Sequence, residues 1–303
     1  MTAVELPIAG PFDLIRTLSP LVRGAGDRTI RLGRDRATWT TRGATGPATV
    51  AVALHPGGLR AEAWGPGADE VLERLPAILG LAPGDPCSGD LRDAPDPFVA
   101  DLARRLPGIR ITRTGAIIEA LVPAILEQKV TGDEARRAWR GLVRDHGDPA
   151  PGPVDGLRVA PAAAVLARLP YFAYHPYGVE QRRAELIRRV SARATWFEEI
   201  AAMSTAEAHD RLVGVSGIGP WTAAEVGVRA LGDADAVSVG DFHLPHLVAW
   251  ALRREPRGDD TRMLELLAPY AGRRALVVRL LEVSGVRAPR YGPRLAPRRI
   301  EGI

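Results

Sequence analysis

The stretch Leu212–Trp250, reading LVGVSGIGPWTAAEVGVRALGDADAVSVGDFHLPHLVAW, constrains this chain more than any other. A helical run ends near Val213. Val215-Ser216-Gly217-Ile218-Gly219 follows, and then Pro220 stands where a new helix would begin, the position at which proline is best tolerated. Gly217 and Gly219 let the backbone reverse tightly. The amides of the turn then lie at a helix N-terminus, where the dipole favours an anion and a phosphate needs no cationic side chain. Taken alone, the Gly-x-Gly spacing fits a plain tight turn between two helices better than a phosphate site. The spacing predicts a helix over Pro220–Leu231, an irregular loop over Asp233–Gly240 and another helix from Phe242 to Arg253. Asp241 stands just before that last helix. It can serve as an N-cap, and the same position holds a carboxylate rigidly at a helix mouth facing the turn.

The first ninety residues read differently. Thr29–Arg34, Ala37–Thr41, Ala48–Leu54 and Leu59–Trp64 are short runs rich in Val, Ile, Thr and Trp, separated by Gly and Pro, the pattern of an antiparallel sheet. Ala68–Leu79 predicts one helix behind it, and the Pro-, Gly- and Asp-rich segment Ala82–Asp96 a linker. Beyond it, helices are expected over Thr114–Val130 with a kink at Pro123, from the capping box Thr131–Glu134 to Gly147, over Val179–Ala194, after a second box at Ser204–Glu207, and over Thr261–Leu267 and Arg273–Val283. The expected fold is mainly α with a small α+β N-terminal domain: residues 1–90 a sheet plus helix, 91–286 all helical, and 287–303 a basic tail.

Composition removes several function classes. The chain has one cysteine, Cys87, so an internal disulfide, a cysteine zinc site and an iron–sulfur cluster are excluded. No apolar run approaches a membrane span. The opening MTAVELPIAG lacks a basic segment followed by an apolar core, so the cytoplasm is the expected location. The formal charge of +4 equals that of the tail, where Arg287, Arg290, Arg294, Arg298 and Arg299 face Glu301. The rest of the chain is balanced, and charge alone favours a nucleic-acid partner only mildly. Lys129 is the sole lysine.

Val215-Ser216-Gly217-Ile218-Gly219-Pro220-Trp221-Thr222-Ala223, with Asp241 twenty residues after Trp221, resembles the hairpin and catalytic aspartate of the helix-hairpin-helix (HhH-GPD) DNA glycosylases, and within them the 3-methyladenine DNA glycosylase II branch. Ala124–Val130 is similar to that branch's helix end that reaches the DNA minor groove, and Gln181–Leu186 to its helix before the hairpin. The resemblance implies the HhH-GPD fold and a monomeric, nucleoid-associated base-excision-repair enzyme acting on double-stranded DNA with damaged bases. It assigns Asp241 as the catalytic carboxylate. It implies DNA contacts from Gly217, Ile218, Gly219, Thr222, Gln128 and Lys129, and a sodium or potassium ion on the carbonyls of Val213, Val215 and Ile218, with no other cofactor.

The chemistry of such an enzyme begins by flipping the nucleotide out of the duplex. Alkylated purines of the 3-methyladenine and 7-methylguanine type are cationic and leave readily. One carboxylate then suffices to stabilise the oxocarbenium sugar and to orient or deprotonate water. Trp221 could stack on a cationic base, worth roughly 0.5–2 kcal/mol, or pack in the core. Tyr174, within the aromatic run Tyr171–Tyr177, is a further pocket candidate. Two positions depart from the branch. Glu225 replaces its pocket tyrosine and could accept from a base amine or pair with an arginine. Lys129 replaces its apolar wedge and could fill the gap left by the flipped base or contact phosphate. The competing readings are a bifunctional glycosylase/lyase for oxidised bases, which would need a lysine where Trp221 stands, and a non-catalytic DNA-binding protein, to which Asp241 would be useless.

Overall fold

The computed structural model describes residues 1–82 and 90–289. Cys87 and the tail charges Arg290, Arg294, Arg298, Arg299 and Glu301 lie outside the described residues.

Strands β1 (Thr2–Leu6), β2 (Ile30–Leu32), β3 (Arg36–Gly43), β4 (Gly46–His55) and β5 (Gly58–Trp64) form one antiparallel sheet in the order β1-β5-β4-β3-β2. Two-residue turns close the β3–β4 and β4–β5 hairpins, between Gly43 and Gly46 and between His55 and Gly58. The alternation of side chains along each strand sends Ala37, Trp39, Ala48, Val50, Val52, Leu59, Ala61 and Ala63 into a buried cluster. Helix α1 (Leu14–Leu18) adds Leu14 and Leu18 to that cluster, and α2 (Ala68–Ile78) adds Val71, Leu72, Leu75 and Ile78. Strand β1 was not evident in the sequence: TAVEL pairs only with β5 and carries no turn signal.

The helical part comprises α3 (Pro97–Arg105), α4 (Ile117–Leu126), α5 (Gly132–His146), α6 (Ala163–Arg168), α7 (Gln181–Ala192), α8 (Ala194–Glu198), α9 (Thr205–Val213), α10 (Pro220–Val226), α11 (Leu244–Arg253), α12 (Asp260–Leu267) and α13 (Arg274–Val283). Both capping boxes form, Thr131 with Glu134 and Ser204 with Glu207. The helices bury two separate apolar clusters. One gathers Leu121, Ile125, Trp139, Ile187, Phe197, Leu212, Ile218 and Val226. The other gathers Val99, Leu102, Val248, Met263, Leu267, Val277 and Leu281. Helix α10 belongs to the first and α11 to the second, so the loop between them, which ends in Asp241, crosses the seam between the two cores. Among the described residues no helix is long and apolar enough to cross a membrane.

Two helices end earlier than the sequence suggests. Helix α4 stops at Leu126, whose carbonyl accepts from the buried Arg183 guanidinium at 2.6 Å. Lys129 then adopts φ +54°, a left-handed conformation that a non-glycine residue holds only when its surroundings impose it. After α10, residues Gly227–Leu231 widen into a π turn, ended by Gly232 at φ +67°. The widening has a visible partner: the amides of Thr114 and Gly115 donate to Arg229 and Ala230 carbonyls at 3.2 and 2.8 Å.

Sheet and helices are joined by polar side chains. Glu119 on α4 accepts from Thr41 Oγ1 at 2.8 Å and from the Arg42 amide at 2.7 Å. Glu198 caps α4 by accepting from the Ile117 and Ile118 amides at 2.8 and 3.0 Å. A cavity of about 560 Å³ lies between the two parts and is lined by both glutamates. Burial pushes the Glu119 carboxyl up to about 7.

Candidate active site

Helices α9 and α10 are joined by the turn foreseen from the two glycines. The Val215 amide donates to Leu212 O at 3.0 Å and the Ile218 amide to Val215 O at 2.9 Å. Gly217 has φ +97°, and a Cβ there would stand 3.0 Å from Leu186 Cδ2. Gly219 differs: its φ is ordinary, and a Cβ would meet nothing within 4 Å. A side chain there would therefore point into open space. Two side chains brace the turn from other helices. Gln128 Nε2 donates to Gly217 O at 3.1 Å and to Thr222 Oγ1 at 2.9 Å. Arg189 on α7 donates to Ser216 O at 2.6 Å. The turn that follows α4, with the exposed Lys129 one residue beyond Gln128, is thus fastened to the hairpin.

Asp241 is held through both carboxylate oxygens. Oδ1 accepts from the His243 and Leu244 amides at 2.7 and 2.8 Å, which closes the first turn of α11. Oδ2 accepts from the indole Nε1–H of Trp221 at 3.0 Å. The carboxylate keeps partial solvent access and lines a cavity of about 180 Å³, together with Arg110, Thr112, Glu225, Arg229, Ser238, His243, Arg279 and Glu282. The site thus comprises an uncrowded glycine at a helix start, a braced turn and an oriented carboxylate that lines a small cavity.

No family model matches the chain. In sequence it is 28% identical over 151 residues to the "Probable bifunctional transcriptional activator/DNA repair enzyme AlkA" of Mycobacterium tuberculosis, an alignment covering 49% of this chain and 30% of that protein. The chain thus spans under a third of the length of that curated relative. In structure, it matches a 3-methyladenine DNA-glycosylase from Archaeoglobus fulgidus with a TM-score of 0.76 and 19% identity, over 94% of this chain and 98% of the other. The chain thus has the fold of this DNA glycosylase. The Clostridium acetobutylicum 8-oxoguanine glycosylase/lyase, solved with double-stranded DNA, matches with a TM-score of 0.67 and 14% identity over 89% of this chain and 90% of that one, so the glycosylase fold is shared with a lyase as well.

Within this glycosylase fold the sequence-derived residues fall into three groups. Asp241 and Glu225 line the cavity. Glu225 pairs with Arg229 at 2.5 Å and accepts from Ser238 Oγ at 2.6 Å, so it is committed to protein partners. Trp221 is not among the residues that line the cavity, and its indole N–H donates to Asp241 Oδ2. Tyr174 is a correction. It is fully buried in the helical core and donates to Leu166 O at 2.8 Å. Periodicity alone could not separate it from its more exposed neighbours, such as Phe172. Thr222 is buried with Gln128 as its partner, so these two side chains brace the hairpin. Of the carbonyls considered for a cation, Val215 O already accepts from the Ile218 amide.

Sequence reasoning passed over Phe242, Arg279 and Glu282. Phe242 follows Asp241 and is 72% exposed, which an apolar residue opening a helix could have signalled. Arg279 and Glu282 lie on α13, thirty-eight and forty-one positions beyond Asp241, and only folding brings them to its cavity.

Proposed function

We propose that this chain is a monofunctional DNA glycosylase that flips a damaged purine out of double-stranded DNA and hydrolyses its N-glycosidic bond. The observation that carries this reading is the Asp241 carboxylate, held by Trp221 and lining a cavity of about 180 Å³. As the bond to the base lengthens, positive charge grows on the sugar. A fixed carboxylate stabilises that charge without reorganising and orients water for attack on the same carbon. Alkylated purines are the first substrate class to test, since the relatives carry that name.

In this reading the hairpin grips DNA by its backbone, so its contribution is blind to sequence. Its carbonyls, neutral oxygens contributed by the turn, suit a monovalent ion better than a divalent one, and we include such an ion in the proposal. Gly219→Ala is expected to leave thermal stability within about 1 kcal/mol, because the methyl has room in the free protein, yet to weaken binding of every duplex sequence alike, because the methyl stands where phosphate approaches. Gly217→Ala is expected to cost about 1–3 kcal/mol through its backbone conformation and Leu186. Melting curves and fluorescence titrations with unrelated duplexes separate the two. Unchanged affinity in Gly219→Ala would leave the hairpin a purely structural turn.

Strand cleavage by a lyase requires an amine that forms a Schiff base with the sugar. Arginine stays protonated and cannot serve, and Lys129 is exposed on a turn and does not line the Asp241 cavity. Borohydride added during turnover is therefore expected to trap no protein–DNA adduct, and the abasic strand stays intact. An adduct that vanishes in Lys129→Ala would replace hydrolysis with the lyase reading.

A further inference from the structure

Helix α7 runs beside the hairpin with one face packed and one face open. Ala184, Leu186, Ile187 and Val190 are buried, while Gln181, Arg182, Arg189, Ala192 and Arg193 are exposed, the division expected of a helix packed on one side. Arg182, Arg189 and Arg193 are separated by seven and then four residues, so their side chains share the exposed face. Glu185, the only acid in α7, is neutralised by Arg188 at 2.8 Å. Among the described residues no carboxylate pairs with Arg182, Arg189 or Arg193. Outside its tail the chain is balanced in charge. Three uncompensated arginines on one face are therefore a local concentration and not part of a general excess.

This face is continuous with the hairpin, because Arg189 donates to Ser216 O at 2.6 Å. Arg193 is held as well. Its guanidinium carbon lies 4.2 Å from the centre of the Trp196 ring, on which Arg211 also packs at 4.0 Å. A stacked guanidinium keeps its N–H groups free for an anion and loses less freedom when it binds one. Arg182 has no protein partner among the described residues. From Arg182 to Arg193 the chain rises about 16 Å, a length over which one DNA strand carries roughly five phosphates. We propose that the exposed face of α7 is a phosphate-binding surface that extends the hairpin, with Arg182 and Arg193 holding the DNA backbone beyond the turn itself. The proposal rests on the glycosylase reading given above and deepens it by adding a second element to the DNA contact. Phosphate contacts carry no sequence information, so the surface adds affinity for any duplex, damaged or not.

The experiment titrates the full chain with a fluorescent undamaged duplex at several salt concentrations. Each phosphate contact contributes about 0.9 to the slope of log affinity against log salt. Replacing Arg182 and Arg193 together by Gln is expected to lower that slope by about two and to weaken binding on the order of tenfold or more near 0.1 M salt. A methylated duplex should lose the same factor. Arg182→Gln alone, which gives up no protein contact, is expected to lower the slope by about one. Replacing both arginines by Lys keeps both charges and is expected to keep the slope. Melting temperatures within about 2 °C of wild type show that the fold is intact. Wild-type slope and affinity in the double Gln variant, or in Arg182→Gln if the double variant melts early, overturn the surface and leave the hairpin as the grip on DNA. Wild type that binds duplex but releases no base from methylated DNA is a different result. It counts against the glycosylase reading and leaves the surface standing.

Discussion

Asp241→Asn is expected to lower base release on the order of 10³-fold or more while DNA affinity stays within a few fold. Asparagine keeps the shape and one acceptor oxygen. That oxygen can serve the His243 and Leu244 amides or the Trp221 indole, but not both, because Oδ1 and Oδ2 now face separate donors. Retaining the α11 cap turns the new amide nitrogen toward the indole N–H, donor against donor, at a cost of about 1–3 kcal/mol. The variant should therefore melt lower yet stay folded. Its catalytic loss has a separate origin, the missing negative charge beside the developing oxocarbenium. Single-turnover release from damaged duplex, compared with titrations of the same duplex, distinguishes loss of chemistry from loss of binding. Excision near the wild-type rate would remove Asp241 from the mechanism.

The second large effect is on stability. Glu119 bridges α4 to the sheet, and burial, reinforced by the nearby Glu198 and opposed by the donors Thr41 and Arg42, raises its carboxyl from 4.5 to about 7. The folded chain therefore holds this proton more tightly than the unfolded chain does. Its contribution is fully present below about pH 4.5, falls as pH rises, and is gone above about pH 7. The shift corresponds to at most about 3 kcal/mol, less to the extent that solvent enters the cavity the side chain lines. Burial also raises Glu198, so the two slopes have the same sign. Urea denaturation is expected to show a more stable protein at pH 5.5 than at pH 8, with a clearly shallower dependence in Glu119→Gln. An identical slope in wild type and variant would place the proton elsewhere.

The contrast between what was legible in the sequence and what was not follows interaction range. The hairpin was legible because Gly217, Gly219 and Pro220 act on their own backbone. Both capping boxes were legible for the same reason, since Thr131 with Glu134 and Ser204 with Glu207 are three residues apart. Asp241 could be singled out because its capping role is local as well. The cavity could not. Trp221 as a partner of Asp241, the commitment of Glu225 to Arg229 and Ser238, and the arrival of Arg279 and Glu282 from α13 all depend on how two separate apolar cores meet. Tyr174 shows the same limit from the other side: five aromatic or imidazole rings in seven residues gave no sign of which one packs inward. The early end of α4 had a non-local cause too, the Arg183 guanidinium capping the Leu126 carbonyl.

Mass-spectrometric identification of free bases released by the wild-type chain from methylated double-stranded DNA tests the central claim most directly. The account predicts free methylated purines above the protein-free control, with uncut strands carrying abasic sites in matching number. Binding of that DNA with no free base released above the control would contradict it and leave a hairpin protein that holds DNA without acting on it.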